Sequence, residues 1–291
     1  MSQPHSGQAI RSGGEGLLRL LSGLFLAFVA VALAVLPWPV PFEIVTVLVM
    51  LFAAREWHRM VRSPAQREIA DHQPIHVQTI VTGLAVAAAV AALAWGFLPV
   101  AFVILAAGAV AAYVFARQRD DNPLWHAMGV FYIGFPALAL VALRILPAKG
   151  QGMWFILALF AIVWATDTGA LVFGKLIGGA KLAPKLSPGK TWAGTIGGTV
   201  TAVVVFAPFI ALFGADILSA LGFAAGLSVV GHLGDLLESG IKRRFGCKDS
   251  GGLIPGHGGM LDRVDSLFAA SVAMALLVFG LHFNPLFGGR V

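Results

Sequence analysis

The sequence predicts an all-α, polytopic integral membrane protein of about nine transmembrane helices, with its N-terminus in the cytoplasm. Composition is the first reason. Of 291 residues, 58% are hydrophobic and 12% charged, where a soluble domain carries about 25% charge, and mean hydropathy is +0.86. Apolar runs near the ~20 residues that a helix needs to cross a bilayer recur along the chain. With the N-terminus inside, every Lys and Arg except Arg144, Lys149 and Arg290 falls on one side, the bias that marks cytoplasmic loops.

Residues 1–15 are rich in Ser, Gly and Gln and predict a disordered tail. The run 17–36, broken only by Arg19, is long enough to span and is followed by many more, so it is a helix and not a cleaved leader. Arg19 sits where its stem reaches the headgroups. Pro37, Trp38 and Pro39 break the chain, and a second span runs to about Ala54 with Glu43 near its outer end. A polar stretch with four arginines follows at 55–74, and then 76–116 carries no charge. That length holds two spans, turning at Gly96, Phe97, Leu98 and Pro99.

After a loop at 117–122 come spans at 124–146 and 153–173, a Lys- and Gly-rich loop at 174–192, and spans at 194–213 and 217–237. A charged loop at 239–266 leads to the last span at 267–284. The chain thus divides into the tail, an N-terminal group of about four helices (16–122) and a C-terminal catalytic transmembrane domain of about five (123–291). No internal repeat is visible, which weighs against a transporter. The net charge of +6 lies in short loops between apolar runs, a topology signal that excludes nucleic acid as its cause. A lone cysteine, Cys247, excludes an internal disulfide framework and a multi-cysteine metal site.

Ionisable groups at the ends of spans carry the chemistry. His232, Asp235 and Ser239 share one helical face, with Glu238 beside them as a solvated helix-end charge. Asp262 and Asp265 open the ninth span, and the loop between can fold back so that Asp235 and Asp262 meet at the cytoplasmic surface. Two readings of that pair stand: metal ligation, or salt bridges to Arg243 or Arg263. An oxygen-only set suits magnesium, with a second cation as an option, and zinc would ask for other ligands. Asp167 lies deep in an apolar run, as a ligand or as an interhelical hydrogen bonder. Ser187, Pro188, Gly189, Lys190 and Thr191 read as a phosphate clamp ahead of a helix N-terminus, without the Walker A glycine pattern. Tyr132, Gly134, Pro136 and Arg144 read as structural, and the 55–67 arginines as topology and lipid-headgroup contacts.

Ser239, Lys242-Arg243, Lys248-Asp249, His257-Gly258-Gly259 and Asp262-Arg263-Val264-Asp265 resemble, in kind and spacing, the signature of the phosphatidate cytidylyltransferases (CDP-diacylglycerol synthases). Asp167, Gly174, Ser187-Pro188 and Lys190-Thr191 are similar to that family's second motif. The resemblance covers about 125–285 and departs from the family pattern at Leu171 and Ala193. It implies attack of the phosphatidate phosphate on the α-phosphorus of CTP, giving CDP-diacylglycerol and pyrophosphate at the inner (cytoplasmic) membrane. Under it, Asp235 and Asp262 hold the cation, supported by Asp265. Lys190, Lys242, Arg243, Lys248 and Arg263 meet phosphates, and Ser187, Thr191 and His257 donate hydrogen bonds. Asp167, Ser239, Gly258 and Gly259 complete the substrate site. A cation-coupled transporter, or a lipid nucleotidyltransferase using another nucleotide or acceptor, are the alternatives. Oligomeric state is open, a homodimer being one option.

Overall fold

The computed structural model describes residues 22–63, 66, 76–148, 150–251 and 258–287. The N-terminal tail, Arg19, most of the stretch 64–75 and His257 lie outside the described residues. Among those described, the chain forms α1 (Ser22–Val35), α2 (Val40–Met60), α3 (Val77–Ala94), α4 (Leu98–Arg117), α5 (Pro123–Ile145), α6 (Gln151–Leu176), α7 (Trp192–Phe213), α8 (Ile217–Arg244) and α9 (Leu261–Ala275). A π-helical turn, Leu276–Gly280, extends α9. A short antiparallel hairpin, β1 (Lys181–Ala183) and β2 (Ser187–Thr191), joins α6 to α7 and pairs Lys181 with Thr191 and Ala183 with Ser187.

Helices α3 to α8, and α9 together with its π-helical turn, are long and apolar enough to cross a membrane. Helix α1 is shorter in its described part, and α2 has the length but carries Glu43, Arg55, Glu56 and Arg59. The uncharged stretch 76–116 does divide into two helices. Gly96 turns the chain at φ +85°, a conformation open to glycine at no steric cost, and Pro99 sits in the first turn of α4, where its missing N–H is harmless.

Two boundaries differ from the sequence expectation. Helix α8 runs to Arg244, so Ser239, Lys242 and Arg243 are helical and not in a loop. Its basic last turn complements the helix dipole. The end is a Schellman cap in which Cys247 N donates to Lys242 O and Gly246 N to Arg243 O, with Gly246 at φ +69°. Helix α9 starts at Leu261, ahead of the expected 267, and its π turn closes at Gly280. The loop expected at 174–192 contains the hairpin, whose strands are too short to register as a period-two pattern.

Trp57, Phe155 and Phe206 are fully buried in the apolar core, while Phe25, Leu84, Val103, Val204 and Leu218 face outward. Between helices, small residues let backbones close up. A Cβ on Gly198 of α7 would lie 2.6 Å from the Thr166 carbonyl of α6, and one on Gly129 of α5 would strike the Trp57 ring. Helix α2 is locked in by polar contacts. Trp57 Nε1 donates to Trp125 O at 3.0 Å, and its ring stacks on Tyr132 at 4.6 Å. The buried His58 meets His126 (2.8 Å) and Thr82 (2.7 Å). His126 in turn holds Asp121 at 2.9 Å. Burial would raise the Asp121 carboxyl, but hydrogen bonds from His126 and from the Ser63 and Asn122 amides hold it below the usual carboxylate range.

Because the Thr166 carbonyl is backbone, Gly198→Ala is expected to cost about 1–3 kcal/mol, read as an earlier thermal unfolding transition in detergent. Gly222→Ala, where a Cβ meets nothing within 4 Å, should not lower that transition.

Candidate active site

The site is assembled at one end of the bundle, where α6, α8 and the hairpin end and α7 and α9 begin. Helix α8 supplies most of it, with His232, Asp235, Glu238, Ser239 and Lys242 spaced at three and four along its last turns. Ser239 Oγ donates to Asp235 Oδ1 at 3.4 Å. Lys242 Nζ donates to Glu238 Oε1 (3.0 Å) and across to Asp262 Oδ1 of α9 (2.7 Å). Glu238 is 0% exposed, so it is a buried ion-pair member and not the solvated helix-end charge expected from sequence.

Asp262 is densely bonded. Besides Lys242, it accepts from the Ser250 amide (3.0 Å to Oδ2) and the Gly259 amide (3.0 Å). It therefore binds the two ends of the loop to each other and to α8. Strand β2 brings Lys190 Nζ to 2.5 Å from Asp235 Oδ2. The salt-bridge partners of Asp235 and Asp262 are thus lysines, where sequence suggested Arg243 or Arg263. Arg243 instead donates to the Leu186 and Cys247 carbonyls, bracing the hairpin tip against the end of α8.

Asp265, one turn beyond Asp262, accepts from the Ser266 amide at 2.7 Å. Ser266 Oγ reaches across to Asp167 Oδ2 of α6 at 3.3 Å. Asp167, Asp235 and Asp265 lie close enough to repel one another, with Lys190, Lys242 and Arg263 as the neighbouring cations. Two further atoms of the site are buried without a hydrogen bond from the chain: His232 Nε2 and Glu238 Oε2. Such groups are costly unless something binds them. Among the described residues, no three His, Cys, Asp or Glu side chains converge on a common metal position.

The other expected residues fall at the rim or in supporting roles. Thr191 is the N-cap of α7, its hydroxyl accepting from Gly194 N at 3.1 Å. Ser187 opens β2, Lys248 and Arg263 are exposed, Gly258 stands at φ +81°, and His257 lies outside the described residues. Glu56 of α2 was missed by sequence reasoning, which assigned the whole 55–67 stretch to topology. Its carboxylate accepts from Ser250 Oγ and from the Met260 and Leu261 amides. The available signal was an acid set among four arginines.

Below the carboxylates an apolar cleft of about 310 Å³ opens between α5, α8 and α9. Phe131, Phe135, Leu237, Phe268 and Leu276 line it, with Asp265 and Tyr132 among its walls. Tyr132 is thus part of the site's wall and not only a packing residue.

The structure is thus a helical bundle that gathers carboxylates and lysines at one end. The cytidylyltransferase family model matches residues 17–281, and the chain belongs to that family. It is 46% identical over 178 residues to the phosphatidate cytidylyltransferase of Brucella suis biovar 1 (strain 1330), covering 59% of this chain and 63% of that one. It is 45% identical over 156 residues to that of Staphylococcus haemolyticus (strain JCSC1435), covering 52% and 57%, and 44% identical over 156 residues to that of Staphylococcus aureus (strain COL), with the same coverage. The chain therefore spans less than two thirds of the length of these curated relatives. With seven apolar helices of spanning length among the described residues, it is a multi-pass membrane protein.

Removing Lys242 would leave Glu238 and Asp262 without their counter-charge. Lys242→Met is expected to destabilise by about 3–5 kcal/mol, measured by chemical or thermal unfolding in detergent. Adding Glu238→Gln to the same chain should restore part of that loss.

Proposed function

We propose that this protein is a phosphatidate cytidylyltransferase that joins CTP to phosphatidate, releasing pyrophosphate and CDP-diacylglycerol. The observation that carries the proposal is a juxtaposition. Asp167, Asp235 and Asp265 crowd beside Lys190 and Lys242 at the head of an apolar cleft whose upper wall is Asp265. The stretch of α9 from Asp265 to Leu276 rises about 16 Å, close to the depth of one leaflet of a ~30 Å hydrocarbon core. A diacyl lipid lying there would rest part of one chain in the cleft and bring its phosphate to the charged groups. The family and the names of the relatives support the same reading.

In this reaction a phosphatidate oxygen forms a bond to the α-phosphorus while the bond from that phosphorus to the α,β-bridging oxygen breaks. The bridging oxygen leaves with the pyrophosphate. The nucleophile is already anionic at neutral pH, so no strong base is required. The task is to bring two polyanions together and to stabilise charge at phosphorus by positioning and electrostatics. On this reading Lys190 and Lys242, both tethered by carboxylates, meet phosphate oxygens, and Arg243, Lys248 and Arg263 meet the distal phosphates. Ser187, Ser239 and Thr191 supply hydroxyls, and the glycines at 258 and 259 give a ligand close access to backbone. His257 belongs to the same reading.

The donor set fits magnesium. It is made of carboxylate oxygens, and magnesium takes one or two of these and completes its octahedron with water and phosphate. Asp235 and Asp265 have the freer oxygens. Asp262 would join them only by giving up part of its bonding to Lys242 and the loop amides. A bound magnesium, or a pair of cations, would neutralise the phosphates. The proposal extends to nine spans with α1 and α2 included, a cytoplasmic N-terminus, and a site facing the cytoplasm across the inner membrane. Charge bias supports this arrangement. A homodimer is compatible with it.

The test is purified full-length protein in detergent with phosphatidate, magnesium and labelled CTP, beside ATP, GTP and UTP. The expected result is CTP-selective, magnesium-dependent labelled CDP-lipid. Asp265→Asn should lower kcat by about 10²-fold or more in protein that still unfolds cooperatively. Folded wild-type protein inactive with all four nucleotides would overturn the assignment.

A further inference from the structure

We propose that Glu56 is a positioning residue for this transfer: reaching from α2, its carboxylate fixes the start of α9 and with it the places of Asp262 and Asp265. The proposal rests on the cytidylyl-transfer reading. Glu56 is 5% exposed. Its Oε1 accepts from the Met260 amide at 3.0 Å, and its Oε2 from the Leu261 amide at 2.8 Å and Ser250 Oγ at 3.1 Å. The first amides of any helix lack intrahelical acceptors, and Met260, the residue before α9, offers no side-chain cap. Glu56 supplies that cap from a helix some 200 positions earlier in the chain.

Close approach of this carboxylate also accounts for two glycines. A Cβ on Gly259 would come within 2.5 Å of Glu56 Oε2, and one on Gly251 within 2.6 Å of Oε1. Gly251 and Gly259 thus run bare backbone past Glu56. Asp262 uses the neighbouring amides of Gly259 and Ser250, so the two carboxylates divide one set of donors. If Glu56 is lost, Asp262 is the remaining acceptor for several of them, and the first turn of α9 must shift. Helix α2 itself is rigidly set by the bonds of Trp57 and His58, the two residues that follow Glu56. The ion pairs of Lys190 and Lys242 run to Asp235, Glu238 and Asp262 and not to Glu56, so its effect belongs to placement and not to phosphate binding.

Glutamine at this position keeps the size but presents an amide N–H₂ where a second acceptor is needed. The experiment compares wild type, Glu56→Gln and Glu56→Asp as full chains in detergent. In Glu56→Gln, kcat should fall about 10²-fold while KM for CTP changes less than about threefold, the pattern of a displaced reacting group. Glu56→Asp, which keeps the charge one methylene back, should recover part of the rate. Hydrogen exchange, followed without substrates, should accelerate at the Met260 and Leu261 amides in Glu56→Gln and stay slow deeper in α9. Unchanged exchange at both amides overturns the anchoring. Faster exchange with unchanged kcat overturns the positioning role, as does a rate loss equal to the loss of folded protein. If wild type itself makes no CDP-lipid, the assigned reaction falls and with it the catalytic part of this proposal, while exchange still decides the anchoring.

Discussion

Much of this structure hangs on one ammonium group. Lys242 stands between Glu238 and Asp262 at one end of the helix bundle, largely sealed from water. Desolvating such charges is expensive and is offset only by good geometry and further hydrogen bonds. The offset here comes from the loop amides that also bond Asp262. The same contacts that make the ion group tolerable therefore close the loop, seat α9 against α8, and gather the carboxylates around Asp235. An apolar replacement of the group would be no harder to bury, but it would leave nothing to specify where the loop ends meet.

The surrounding bundle answers to a different constraint. In a bilayer, apolar surface is not driven together by water, so helices associate through close packing and interhelical hydrogen bonds. The glycines of α7 against α6, and the polar chain from Thr82 through His58 and His126 to Asp121, are the two forms this takes. Both halves of the chain contribute to the site, since α2 reaches the loop that precedes α9.

The spans α3 to α9 were legible because their signal is long and repeated. The turn at Gly96 could be read from its position in an uncharged stretch of double length. The carboxylates at 235, 262 and 265 could be read because charge is rare here and because their spacing matches a known signature. The fate of Glu238 was not legible: beside three consecutive cations it looks solvated, and only the fold shows that Lys242 turns inward to meet it. The hairpin escaped for want of length, and the Lys190–Asp235 pair is tertiary. Glu56 escaped because its partners are backbone amides far along the chain, which leave no mark in the local pattern. The end of α8 was the avoidable error, since a basic turn followed by Gly246 is a stop signal in its own right.

The Schellman cap at Gly246 sets limits on how this protein can change length over evolutionary time. Each residue added to or removed from a helix rotates everything beyond it by about 100°. Between Asp235 and Lys242, one such event would swing Lys242 away from Asp262. Chain-length variation must therefore collect elsewhere, in the tip of the hairpin between Ala183 and Ser187 or in the connections on the opposite face. The stretch from Asp235 to Lys242 behaves as a ruler whose divisions cannot be moved one at a time.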